Sequence, residues 1–301
     1  MIIASSTPKT RISAEEVFAL CNCPVEFQKD KLGISSRCFL QEGEKAIDLA
    51  AEACEKLFAE NSIDKQSIDC LLYVTQTPEK QIPQNSSLLQ DKLKLSTSLF
   101  AFDISLGCSG FVYALSTAAA LREIYSFKNI LIVTCDCYSK VLDKTDKNTM
   151  ALFGDAAAAT LVSMQDTIGK MDYGTDGSHA HSIMLDEQNI LRMNGRLVFD
   201  FAMKTVKKSV QNCLLKNDVN LEDIDYFIFH QANKFIVQQL AQQLSIPHDK
   251  VLYNLECYGN TVSSSIPLVL ETVLAKNEQN KKILVCGFGV GLSWATNIIY
   301  I

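Results

Sequence analysis

Residues 67–73 read S-I-D-C-L-L-Y and residues 223–229 read D-I-D-Y-F-I-F, an echo at an offset of 156. Each run is continuously apolar from its fourth position, the pattern of a strand buried on both faces. Each follows a helix-like segment that closes in a short polar connection, at 60–66 and at 216–222. The echo continues downstream. The apolar run 99–104 predicts a strand that breaks at Leu106-Gly107-Cys108 and enters a helix-like run, 111–120. In the second half, 251–255 predicts a strand that breaks at Tyr258-Gly259-Asn260 and enters 266–274. A third pair, N-I-L-I-V-T at 129–134 and K-I-L-V at 282–285, keeps the same order. Strands alternating with helices predict an α/β fold with mostly parallel central pairing. The repeat predicts two pseudo-equivalent halves, 1–163 and 164–301.

Composition narrows the function classes. The chain has 301 residues, 48% of them hydrophobic and 21% charged, with 13 Gly and 6 Pro, so it folds rather than remaining disordered. Lys and Arg total 28 against 34 Asp and Glu, a net charge of −6. Without basic runs, this balance argues against nucleic acid and against an anionic membrane as partner. The start M-I-I-A-S-S-T-P-K-T-R lacks the pattern of a secretory signal. The odd count of 11 cysteines, most of them in apolar runs, reads as reduced thiols packed as small hydrophobes. A cytoplasmic setting is therefore expected. Two uncharged stretches, 104–121 and 283–301, are long enough to be checked as membrane spans. Serines and glycines make the first a core helix, and glycines at 287, 289 and 291 make the second strand-turn-strand.

If the halves pack as twins, equivalent strand ends converge where open α/β sheets place ligands. Cys108 and Asn260 then occupy matching turns, and His230 closes the strand predicted at 226–229. A cysteine at a helix N-terminus is expected to favour thiolate, the usual route to a nucleophile near neutral pH. Taken singly, each residue has an ordinary use: a buried thiol, a structural histidine, a helix-capping asparagine. Together they form a reactive constellation.

Five segments carry a resemblance that runs over nearly the whole chain: D-I-S-L-G-C-S-G-F-V-Y-A-L (103–115), F-G-D-A-A-A-A (153–159), H-Q-A-N (230–233), Y-G-N-T-V-S-S-S-I-P (258–267) and G-F-G-V-G-L-S-W (287–294). The chain resembles the thiolase superfamily, and within it β-ketoacyl-acyl carrier protein synthase III. That resemblance implies a duplicated fold with mixed sheets in αβαβα layers. It implies that Cys108 takes an acyl group from an acyl-CoA. A malonyl carrier protein then loses CO2, and the resulting carbanion attacks the acyl-enzyme. His230 and Asn260 would hold the enolate, and backbone N–H groups at Cys108 and in Gly289-Val290-Gly291 the acyl oxyanion. No metal or redox cofactor is implied. The implied partners are acyl-CoA, an acyl carrier protein and a second copy of the chain.

The resemblance also implies a substrate-binding set. Phe27 and Lys31 stand where the family has a Trp and an Arg against the CoA adenine. Phe153, Leu191, Met193 and Phe199 fall at primer-pocket positions, with Ile82 reaching across a dimer interface and Lys234 at the carrier side. Phe235 replaces a family Arg, and Gln242-Gln243 a basic pair that docks the carrier, which points to a specialised carrier or to Lys204, Lys207 and Lys208 as substitutes. His179 and His181 form H-x-H without a third ligand nearby, so a loop is expected. A papain-like protease would need a different cysteine motif and an unduplicated fold. A degradative thiolase would use Cys286, which reads here as core. Two alternatives stay open: a relative that passes the acyl group from Cys108 to an alcohol or amine, and a non-catalytic carrier-binding subunit.

Overall fold

The computed structural model describes residues 1–301. Its strands are β1 (Ile2–Ser6), β2 (Arg11–Ser13), β3 (Ser36–Cys38), β4 (Cys70–Val74), β5 (Phe100–Ile104), β6 (Asn129–Asp136) and β7 (Ala156–Ser163). They continue as β8 (Thr167–Ile168), β9 (Asp172–Thr175), β10 (Ile183–Leu185), β11 (Leu191–Met193), β12 (Tyr226–Phe229), β13 (Lys282–Gly289) and β14 (Ser293–Tyr300). The helices are α1 (Ala14–Cys21), α2 (Ala46–Asn61), α3 (Asn85–Leu93), α4 (Gly110–Tyr125), α5 (Lys147–Met150), α6 (Gly195–Asn217), α7 (Lys234–Gln243), α8 (Leu255–Tyr258) and α9 (Ser265–Leu274).

One five-stranded sheet runs β1-β7-β6-β4-β5, and a second runs β12-β13-β14-β8 with β9 also on β14. All strands of the first lie within residues 2–163, and all of the second within 167–300. The two echoing runs became β4 and β12, and the third echoing pair became β6 and β13, which lie beside them. Both sheets are mixed rather than mostly parallel. β4 is parallel to β5 and β6, and β12 to β13, but β7, β1, β14, β8 and β9 run antiparallel to their neighbours. The turn 290–292 between β13 and β14 explains one of these, because only a long crossover can return a strand in parallel.

Helices α4 and α9 lie between the sheets. Their apolar sides, Phe111, Val112 and Leu115 with Ile266, Val269 and Leu270, share one core with β4, β6, β12 and β13. Each such fully buried side chain contributes roughly 1.5–3 kcal/mol. α2 and α3 cover the outer face of the first sheet, and α6 and α7 that of the second. Five layers result, αβαβα. α4 can press onto β4 because Gly110 opens its first turn: a Cβ there would stand 2.5 Å from Val74 Cγ1.

The strand predicted at 251–255 is not one. Only Val251 bridges β12, and Leu255 already begins α8. The buried Gln231 side chain replaces the missing ladder. Its amide donates to Phe229 O at 2.8 Å and Leu252 O at 3.3 Å, and its carbonyl accepts from Asn254 N at 3.2 Å. The stretch 283–301 is strand-turn-strand, and no helix is long and apolar enough to cross a membrane.

Candidate active site

Cys108, His230 and Asn260 line one cavity of about 70 Å³. Each is nearly buried, at 6%, 2% and 3% exposure. Cys108 comes from the turn between β5 and α4, His230 from the residue after β12, and Asn260 from the turn after α8. The halves are joined at this point by backbone: Asn260 N–H donates to Leu152 O at 2.9 Å and Gly154 N–H to Asn260 O at 3.0 Å.

The His230 backbone N–H donates to Cys286 O at 2.7 Å, and its ring Nδ1 lies 2.7 Å from Ser265 Oγ. With Nδ1 engaged, Nε2 is the nitrogen left for the cavity. Burial pulls the imidazole down to about 3, so it is neutral. The Asn260 side-chain carbonyl accepts from Val262 N–H at 2.9 Å, and its NH2 donates at 3.5 Å to Ala232 O, leaving one amide hydrogen for a ligand. Gly289 makes room for the sulfur, since a Cβ there would meet Cys108 Cβ and Sγ at 2.9 Å each.

The expected thiolate is corrected by the structure. Burial, with Asp136 adding to it, pushes the Cys108 thiol up to about 12, against the backbone N–H groups of Cys108 and Val290 that favour its anion. The helix end acts in the right direction but in a buried site, where desolvation wins. Gly289 and Val290 line the cavity; Gly291 does not.

Phe153 and Met193 line the cavity. Leu191 is buried in the same core cluster without reaching it. Phe199 lies outside, stacked on Phe235 with centroids 5.7 Å apart, because it faces α7 rather than the cavity. Ile82 is 86% exposed. A groove of about 640 Å³ contains Phe27, Lys147 and Arg196, and shares Leu152, Met193, Gly195 and Asn233 with the cavity, so it leads inward from the surface. Lys31 is exposed and off its lining, and the Lys234 stem packs over Gly33. His179 and His181 stack at 6.2 Å in a short turn; Asp176 lies 3.3 Å from His179 Nδ1, but no three such groups are arranged to hold a metal. Cys286 is core, as expected.

Sequence reasoning missed Ser264 and Ser265. The first ties the turn to Thr134 and Ala156 in the other half, and the second holds His230. The only signal was the serine run inside the asparagine motif.

A duplicated αβαβα scaffold with Cys, His and Asn meeting in one cavity defines a thiolase-type condensing enzyme. Residues 102–177 match the family model for 3-oxoacyl-[acyl-carrier-protein (ACP)] synthase III, and residues 214–301 the model for its C-terminal part. A β-ketoacyl-[acyl-carrier-protein] synthase III of Streptococcus agalactiae is 34% identical over 99% of this chain and 98% of its own. The crystal structure of the synthase III from Aquifex aeolicus superposes with a TM-score of 0.95 at 30% identity, covering 99% and 98% of the two chains. The priming β-ketosynthase of the R1128 polyketide pathway gives 0.92 at 28% identity, covering 99% and 96%. The chain belongs to the β-ketoacyl-acyl carrier protein synthase III family of condensing enzymes.

Proposed function

We propose that the protein transfers a short acyl group from acyl-CoA to Cys108 and condenses it with a malonyl group on an acyl carrier protein. The observation that carries the reading is the single cavity in which Cys108, His230 and Asn260 meet at the inner end of a surface groove. In the first stage the Cys108 sulfur attacks the thioester carbonyl, its proton goes to the departing CoA thiolate, and Cys108 and Val290 N–H groups hold the oxyanion. In the second stage the malonyl C–C bond breaks and CO2 leaves. Its electron pair becomes an enolate held by His230 Nε2–H and the Asn260 amide. The enolate carbon attacks the acyl-Cys108 carbonyl, and the sulfur leaves as thiolate and takes a proton from solvent. Each well-placed donor supplies about 3–4 kcal/mol of transition-state stabilisation.

A neutral imidazole suits this work, since it donates without surrendering its charge state. Each water-sized group takes on the order of 10–15 Å³ by the same measure, so the cavity suits a primer of a few carbons. The carrier is of a kind that tolerates Phe235 and Gln242-Gln243 on α7, which fits a specialised pathway. A cytoplasmic homodimer is part of this reading: β5 is an edge strand, with Phe100 and Tyr125 exposed beside it.

Intact mass after incubation with a panel of acyl-CoAs tests the first stage. An adduct with short primers, lost in Cys108→Ala, is expected; no adduct from any donor would favour a non-catalytic subunit. CO2 release from malonyl carrier protein tests the second. It is expected to fall at least about 100-fold in His230→Ala or Asn260→Ala. Acyl transfer to an alcohol or amine without CO2 would put the acyltransferase reading in its place.

A further inference from the structure

The turn that presents the Asn260 amide is strained. Val262, whose N–H holds the Asn260 carbonyl, sits at φ +52°. A β-branched residue avoids the left-handed region, and such a conformation persists only where its surroundings over-determine it. The next residue supplies that constraint. Ser263 hydroxyl and N–H both reach Asp136 Oδ2, at 2.6 and 3.4 Å.

Asp136 closes β6 in the first half and is fully buried. Its Oδ1 accepts from Gln76 N–H at 2.7 Å, Thr75 hydroxyl at 3.3 Å and Thr77 hydroxyl at 3.4 Å. Every one of these partners is an N–H or a hydroxyl; none is a cation. An unpaired buried carboxylate is a costly group to keep. What it offers in return is two oxygens that accept all five donors together, which neither Asn nor Ser can do.

We propose that Asp136 is a positioning residue: from the first half it holds, through Ser263, the strained turn that aims the Asn260 amide at the cavity of Cys108. The part played by Asn260 rests on the function proposed above; the linkage does not. The same carboxylate opposes early ionisation of Cys108. Facing the sulfur are Asp136, the Tyr138 phenol and the His230 imidazole. Burial keeps the phenol neutral far above its usual range and the imidazole neutral down to about 3, so neither changes charge where the thiol titrates.

Two variants separate this role from mere packing, Ser263→Ala and Asp136→Asn, both in a Cys257→Ser background that removes the exposed thiol. For Ser263→Ala, kcat for CO2 release is expected to fall about 10-fold or more with KM for malonyl carrier little changed, while single-turnover acylation of Cys108 falls by less than about 3-fold. Its crystal structure should show the Asn260 carbonyl released from Val262 N–H. Asp136→Asn should behave likewise and also move the pH profile of Cys108 alkylation by iodoacetamide about half a unit or more to lower pH. Proportional loss of both stages, an unmoved turn in Ser263→Ala, or an unshifted profile in a folded Asp136→Asn would overturn the proposal. If Asp136→Asn fails to fold, Ser263→Ala decides. If the wild-type protein releases no CO2, the proposed function fails instead, and the crystal structure and alkylation profile, which need no substrate, still decide the linkage.

Discussion

His230 ties chemistry to stability. Its imidazole titrates near 6.5 in an unfolded chain and, through burial, only at about 3 in the fold. Between those values the unfolded state binds more protons, so stability is whole above about 6.5 and falls by about 1.4 kcal/mol per unit as pH drops toward 3. Urea unfolding at pH 7 and pH 5 should therefore cost the wild type about 2 kcal/mol more than His230→Gln, and equal losses would refute it. Asp136 and Asp155, raised by burial, act the opposite way but equally in both proteins. The meeting of Cys108, His230 and Asn260 in one cavity was legible because each follows an apolar run at a comparable place in its half. Asp136 and Ser265 were not. A hydroxyl or a carboxylate takes its meaning from where a turn aims it, and the left-handed Val262 has no local signature. The thiolate expectation failed because the helix end was weighed without the burial that the same fold imposes.

Among the elements, β5 is the least covered strand of its sheet, in contrast to the fully buried β4. Phe100 packs with Phe102, Tyr125 and Phe127 in an aromatic cluster, and Ile124 nearby is 72% exposed. An open strand edge beside such a surface is a template for pairing with a second copy. Sedimentation should find the wild type as a dimer and Phe100→Lys largely as monomer; a monomeric wild type would remove the dimer from the proposal. The central strands were readable because unbroken apolar runs admit few other uses. The stretch 251–255 misled for the same reason. It is mostly apolar, with Val251 and Leu255 buried, but Gln231 satisfies part of its backbone, and a side-chain amide arriving from a distant turn leaves no period in the sequence.

Across the whole molecule, net charge and local charge point in different directions. The chain carries −6, yet Lys147 and Arg196 line the groove and Lys234 stands beside it. An acidic carrier must therefore be drawn by a few local cations against the general field, an attraction that salt screens within about 10 Å at 0.1 M. KM for malonyl carrier should rise with ionic strength, and Phe235→Arg should lower it at low salt for an ordinary acidic carrier. A KM indifferent to both would mean that the mouth recognises its carrier by apolar contact alone. The duplicated organisation was legible from two of the three echoing pairs, β4 with β12 and β6 with β13. The antiparallel additions were not, since short strands such as β8 and β9 are defined by their neighbours.

Ten of the eleven cysteines are buried, and Cys257 alone is open to solvent. Because burial holds the Cys108 thiol protonated, at about 12, peroxide and disulfide-forming reagents are expected to meet a sluggish target there. A maleimide fluorophore added in modest excess is thus expected to mark Cys257 first and leave Cys108 free.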